Sequence, residues 1–196
     1  MRVLVPQLLS ALLVLVSAQT SETLATQPQS KLWVEGTSTV RGFECRVPEF
    51  TLAVNAEGSD AVKAVLAAKK VVKTVDLTVG TQAIDCGNGT MNNHMRHALK
   101  ADETPSTIHF ALATYDVARD ADGVAGTMHG TLALGGATHP IDVAAVATES
   151  PDGALHIVGS YDLSMAAFDL TPPSLMFGRI KVGDKVKVRF DLVLKS

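Results

Sequence analysis

Hydrophobic residues in this chain recur mostly at every second position. Val186, Val188, Phe190, Leu192 and Leu194 alternate with Lys185, Lys187, Arg189, Asp191 and Lys195. Leu155, Ile157, Gly159, Tyr161, Leu163 and Met165 alternate with His156, Ser160, Asp162 and Ser164. A period of two turns one set of side chains toward a core and the other toward water, the mark of a half-buried strand. Phe50, Leu52, Val54 and Ala56 repeat the pattern, as do Val71, Val75, Leu77 and Val79, where Lys73 interrupts the apolar series. Further strands are expected over 31–39, from Ile108 through Phe110 toward Val117, over 128–134 and over 141–147. Glu57-Gly58-Ser59-Asp60, Asp120 to Gly123, Gly135-Gly136 and Pro151-Asp152-Gly153 supply turns between them. About eight strands at this spacing predict an antiparallel barrel or sandwich, and closure, which removes exposed edges, favours the barrel.

One stretch breaks the alternation. Met91, Met95, Ala98 and Leu99 fall at i, i+4, i+7 and i+8, an apolar stripe of helical period. A single short helix is expected over about residues 90–101, with Thr90 as its N-cap, cations Arg96, His97 and Lys100 toward its C-terminal end, and Pro105 as its stop. A lone greasy-faced helix among strands reads as a lid or plug. Residues 61–70, AVKAVLAAKK, fit a helical turn or two or the start of a strand equally well.

Composition narrows the setting. Residues 1–18 combine Arg2, an apolar run from Val3 to Val16 and a small-residue Val16-Ser17-Ala18 site, the pattern of a cleaved secretory signal. The run is short for a membrane span and interrupted by Pro6, Gln7 and Ser10. Periplasmic or secreted localisation follows as an expectation. Residues 19–30 are polar and read as a flexible leader, leaving 31–196 as one domain. Loss of the signal removes one cation, leaving 16 basic against 20 acidic residues, a charge of −4. Mild acidity of this kind argues against a nucleic-acid partner, which calls for a basic face. In an exported chain the isolated pair Cys45 and Cys86 is expected to form a disulfide.

Sites for chemistry are sparse. His94 and His97 stand three apart on the helix, a spacing open to metals, but no HExxH pattern accompanies them. The bland reading is rim or surface histidines, and no metal or cofactor is expected. Ser38 in Gly-Thr-Ser-Thr-Val lacks the closing glycine of a nucleophile elbow and reads as a turn serine. Neither a phosphate-cradling loop nor a dinucleotide fingerprint occurs. The expectation is a protein without catalytic residues.

Three stretches carry a family resemblance: MNNHMRHALKADETPSTIHF, GTLALGGATHPIDV and GSYDLSMAAFDLTPPSLMFGRIKVGDKVKVRFDLVL. In this order they resemble the YceI-like family of exported, lipocalin-like lipid-binding proteins, and the match covers about residues 31–195. His94-Met95-Arg96 stands where members commonly carry His-Leu-Arg. The resemblance implies a mainly β fold, an extended antiparallel eight-stranded lipocalin-like barrel with one short helix. It also implies a polyisoprenoid or other long-chain amphiphile held inside, no catalysis, and assembly as a homodimer in many members. Phe110, Leu163, Met165, Phe168 and Met176 are the expected ligand contacts, with Met95 and Leu99 from the helix and His94, Arg96 and Arg179 as head-group partners. The competing expectation is a solid, side-chain-filled barrel that works through its surface as a structural or interaction protein.

Overall fold

Alternating residues become strands in chain order: β1 (Ser21–Thr26), β2 (Lys31–Ser38), β3 (Gly42–Arg46) and β4 (Thr51–Glu57), then a short helix α1 (Ala61–Leu66). There follow β5 (Val72–Gly80), the longer helix α2 (Gly89–Ala98), β6 (Thr107–Asp120), β7 (Gly123–Leu134), β8 (Ala137–Glu149), β9 (Leu155–Ser164), the two-residue β10 (Ser174–Leu175) and β11 (Ile180–Lys195). The structure, a computed structural model, describes residues 20–102, 107–175 and 177–196. The expected signal segment, Pro105 and Met176 lie outside the described residues.

Every pairing is antiparallel, and the ladder runs β1-β4-β5-β6-β7-β8-β9-β11 before returning to β1. Eight strands thus close into a barrel, the fold expected from the alternation and the resemblance. β2 continues the line of β1 along β11, with Val188 opposite Val34 and Phe190 opposite Leu32, and β3 pairs with β2. At about 3.3 Å per residue and a tilt of about 40°, the 12-residue β7 gives a barrel roughly 30 Å tall.

β1 corrects the expected flexible leader over residues 19–30. Its polar SETLAT sequence hides a single core residue, Leu24, 1% exposed. Leu24 pairs with Val54, while Ala25 and Thr26 pair with Lys195 and Leu194, so β1 supplies the hydrogen bonds that shut the ring. The undecided segment 61–70 begins as α1. Glu22 of β1 accepts from the Ala61 amide at 2.8 Å, satisfying one of the free amides of the first turn. α1 packs Ala61, Val62, Val65 and Leu66 against Val124, Ala147, Leu155 and Leu194, which plugs one end of the barrel.

The outer wall is polar and laced with ion pairs, among them Arg189–Glu35 at 2.8 Å and Lys187–Asp162 at 3.0 Å. Barrels that cross membranes present the reverse, an apolar band facing outward. Apolar side chains here point inward.

Candidate ligand-binding cavity

The interior is open rather than filled. A cavity of about 560 Å³ runs between the α1 plug and the other end of the barrel, and its wall is almost entirely apolar. Leu32, Val54, Leu77, Phe110, Leu163 and Val188 are typical of that wall, one from each of several strands. Near the plug, the Tyr115 hydroxyl accepts from the Val72 amide at 3.0 Å, and burial pushes its acidity weaker than usual. The few other polar side chains on the wall include Ser38, Arg41 and His94 toward the opposite end.

Glycines set the bore. A Cβ on Gly36 would lie 2.3 Å from Cζ of Phe43; on Gly159, 2.3 Å from Cζ of Phe190; on Gly130, 2.6 Å from the Phe110 ring. Phe43 and Phe190 are the cross-strand partners of Gly36 and Gly159. Each ring therefore occupies the space that a side chain on the neighbouring strand would fill, room that only glycine leaves. All three rings face the cavity.

α2 covers the end opposite α1. The stripe Met91, Met95, Ala98 and Leu99 lies on the cavity wall together with His94. No residue of the helix is fully buried, as befits a single layer over an opening. Its N-cap is Asn88, whose Oδ1 accepts from the Met91 amide at 2.9 Å, rather than the expected Thr90. The lead-in is held three ways. Cys45 of β3 and Cys86 form the disulfide expected from the cysteine count. Arg46 and Asp85 exchange backbone hydrogen bonds of 2.7 and 2.8 Å. Asn92 donates to Asp85 at 3.0 Å and accepts from the Cys86 amide at 2.7 Å. Hydrogen bonds from Asn92, then from the Gly87 amide, keep the Asp85 carboxyl more acidic than usual.

Across from α2 the chain turns out of β9. Asp184, in an irregular stretch of β11 between Val182 and Val186, accepts from the Ser164 hydroxyl at 2.6 Å and the Ala166 amide at 2.7 Å. These bonds, the hydroxyl first, lower its pKa, and they place Met165 on the wall.

Of the residues expected to touch a ligand, Phe110, Leu163, Met165, Met95, Leu99 and His94 converge on the cavity. Phe168 does not. It is 2% exposed and sits behind the wall with its ring edge-on to His139 at 5.0 Å. Arg96 is also off the wall, with Nη1 donating to Asn93 at 3.3 Å. Arg179 is exposed at the mouth, its carbonyl accepting from the Thr39 hydroxyl. His94 and His97 flank a shallow cleft against Thr171, Pro172 and Pro173. Among the described residues no group of three or more His, Cys, Asp or Glu side chains is arranged to hold a metal. The Ser38 hydroxyl is spent in a hairpin turn, donating to the Arg41 carbonyl at 2.9 Å and accepting from the Val40 and Arg41 amides. Sequence reasoning reads Gly159 as thinning the inward face and Phe43 and Phe190 as core, without selecting either ring as a ligand contact or Gly36 as its seat. The alternation marks Gly159 and Phe190 as inward-facing, but only the register shows them opposite each other.

Comparison with known proteins agrees with this architecture. A search of curated protein sequences finds no match. BcnA of Burkholderia cenocepacia has a similar structure, with a TM-score of 0.67 at 16% identity over 86% of this chain and 99% of its own. A polyisoprenoid binding domain from Saccharophagus degradans, implicated in plant cell wall breakdown, gives 0.57 at 14% identity over 89% and 97%. The YceI protein of Campylobacter jejuni gives 0.58 at 16% identity over 78% and 84%. At these identities the likeness is one of fold. The model of the YceI-like domain matches residues 21–194, so the chain belongs to the YceI-like family.

Proposed function

We propose that this protein is an exported carrier that sequesters one long-chain amphiphile, a polyisoprenoid or a fatty-acid-like lipid, inside its barrel without acting on it chemically. The observation that carries this reading is the continuous apolar cavity of about 560 Å³, well within the range of small-molecule sites. Burial of a chain of about twenty carbons contributes roughly 16 kcal/mol at about 0.8 kcal/mol per CH₂. That exceeds association costs of about 4–15 kcal/mol. The polyisoprenoid-binding domain among the similar structures supports the ligand class, and the signal-like N-terminus with the Cys45–Cys86 bond supports export. His94 and Arg41, polar groups at the open end, are the candidate head-group partners.

Titration with saturated amphiphiles of increasing length tests the reading. Affinity should rise roughly fourfold per added CH₂ and level off once the cavity is full. Affinity indifferent to chain length would remove the barrel interior as the site.

A further inference from the structure

We propose that the open end of the barrel docks on an anionic lipid bilayer, so that ligand passes between membrane and cavity through the mouth. The proposal rests on the carrier reading and adds the surface from which the ligand is drawn. Two tips meet at this end. Thr39 donates its amide to the Lys181 carbonyl at 3.0 Å and its hydroxyl to the Arg179 carbonyl at 3.1 Å, which brings the β2–β3 hairpin beside the approach to β11. Val40 on the first tip is 68% exposed, and Phe177 on the second is fully exposed. These are two of only three large hydrophobic side chains exposed among the described residues. Phe177 also holds a φ of 55°, a left-handed conformation unfavourable for a bulky side chain, with no packing to offset it.

The charged residues of the two tips, 38–42 and 177–181, are all basic. Arg41, Arg179 and Lys181 are exposed there, and none makes an ion pair among the described residues. The plugged end is of mixed sign, with Asp120, Asp122 and Glu149 on its hairpins beside Arg119, and Lys63, Lys69 and Lys70 on and after α1. Protruding apolar side chains ringed by cations fit the interface of an anionic membrane, where the cations meet head groups and the apolar groups enter the acyl boundary. Val40 and Arg41 also line the cavity, so the docking surface and the ligand's doorway are one place.

Flotation with phosphatidylcholine vesicles and with equal mixtures of phosphatidylcholine and phosphatidylglycerol tests this, alongside uptake of a long-chain fatty acid from vesicle-free solution. The protein should float with the mixed vesicles only and be released by salt. R179Q/K181Q should weaken that binding roughly 30-fold, and F177S roughly tenfold. Both variants should take up fatty acid normally, because none of these three side chains lines the cavity. Normal uptake without vesicle binding, or vesicle binding unmoved by either variant, overturns the docking surface and leaves the carrier reading standing. So does F177S splitting a dimer while vesicle binding persists, which would make the tips a contact between copies. Loss of uptake in the parent protein overturns the carrier reading itself.

Discussion

Replacing Gly36 by alanine sets two opposed effects against each other. A glycine inside a strand costs about 0.5–1 kcal/mol relative to alanine, so an uncrowded Gly36→Ala should stabilise the barrel by that amount. The new Cβ, however, would lie 2.3, 2.7 and 2.9 Å from three carbons of the Phe43 ring. Carbon atoms rest about 3.5–4.0 Å apart, so the ring must retreat by more than about 1 Å. Overpacking of this kind costs about 1–3 kcal/mol. The clash should win, with a net loss of about 0.5–2 kcal/mol. Because Phe43 faces the cavity, its displacement should also narrow the lumen and weaken binding of a branched chain more than a slender one. Denaturant unfolding and ligand titration of the parent, G36A, F43L and G36A/F43L give the coupling directly. Trimming the ring should restore the alanine's benefit, with an interaction energy of about 1 kcal/mol or more. If G36A is more stable than the parent, binds equally well and does not couple to F43L, the ring is not seated on the glycine and the account of the bore is wrong.

Other parts of the molecule give sharper local tests. The Cys45–Cys86 bond spans 41 positions, so its loss in C45S/C86S should cost about 4 kcal/mol in the chain-entropy model. Thermal unfolding should fall by about 8–16 °C; an unchanged transition would show that the bond holds nothing. Asn88→Ala should cost about 1 kcal/mol and speed amide exchange across α2, whereas Asn88→Asp keeps the cap; equal unfolding midpoints for N88A and N88D would contradict that role. His129 sits between Asp142, 2.6 Å from Nδ1, and Asp116, 3.4 Å from Nε2; the Asp142 hydrogen bond first, then Asp116, raises its pKa. A raised folded pKa gives stability that is complete below about 6.5 and lost as pH climbs through the folded value. The stability advantage over H129Q should therefore shrink as pH rises above about 6.5, and an advantage independent of pH would refute the pairing.

Much of the barrel was legible because its strands obey one rule. In β9 and β11 the alternation of Leu155 to Leu163 and Val186 to Leu194 names the inward face without ambiguity. β1 was not legible, since SETLAT offers one buried leucine and becomes a strand only through partners far along the chain. The sequence AVKAVLAAKK suits either state, and what decides for helix is Glu22, some 40 residues earlier, capping its first amide. At α2 the stripe was plain, but the cap moved from Thr90 to Asn88, because both are good capping residues and pattern alone does not choose between neighbours. The site divides along similar lines. Phe110 and Leu163 reach the wall because the alternation aims them there, whereas Phe168 ends a single turn of 3-10 helix, Ala166–Phe168, too short to show a period. The juxtaposition of Phe43, Phe110 and Phe190 with glycines depends on the exact register; a period of two fixes the face each residue takes, but a slip by two keeps every face and changes every neighbour.

Whether the barrel holds a lipid can be read from native mass spectrometry of the protein purified without detergent. A loaded barrel should appear as a species heavier than the bare chain by one long-chain amphiphile, which collisional activation strips off to leave the apoprotein. A bare-chain mass alone, persisting after incubation with excess amphiphiles of about twenty carbons, would contradict the carrier reading.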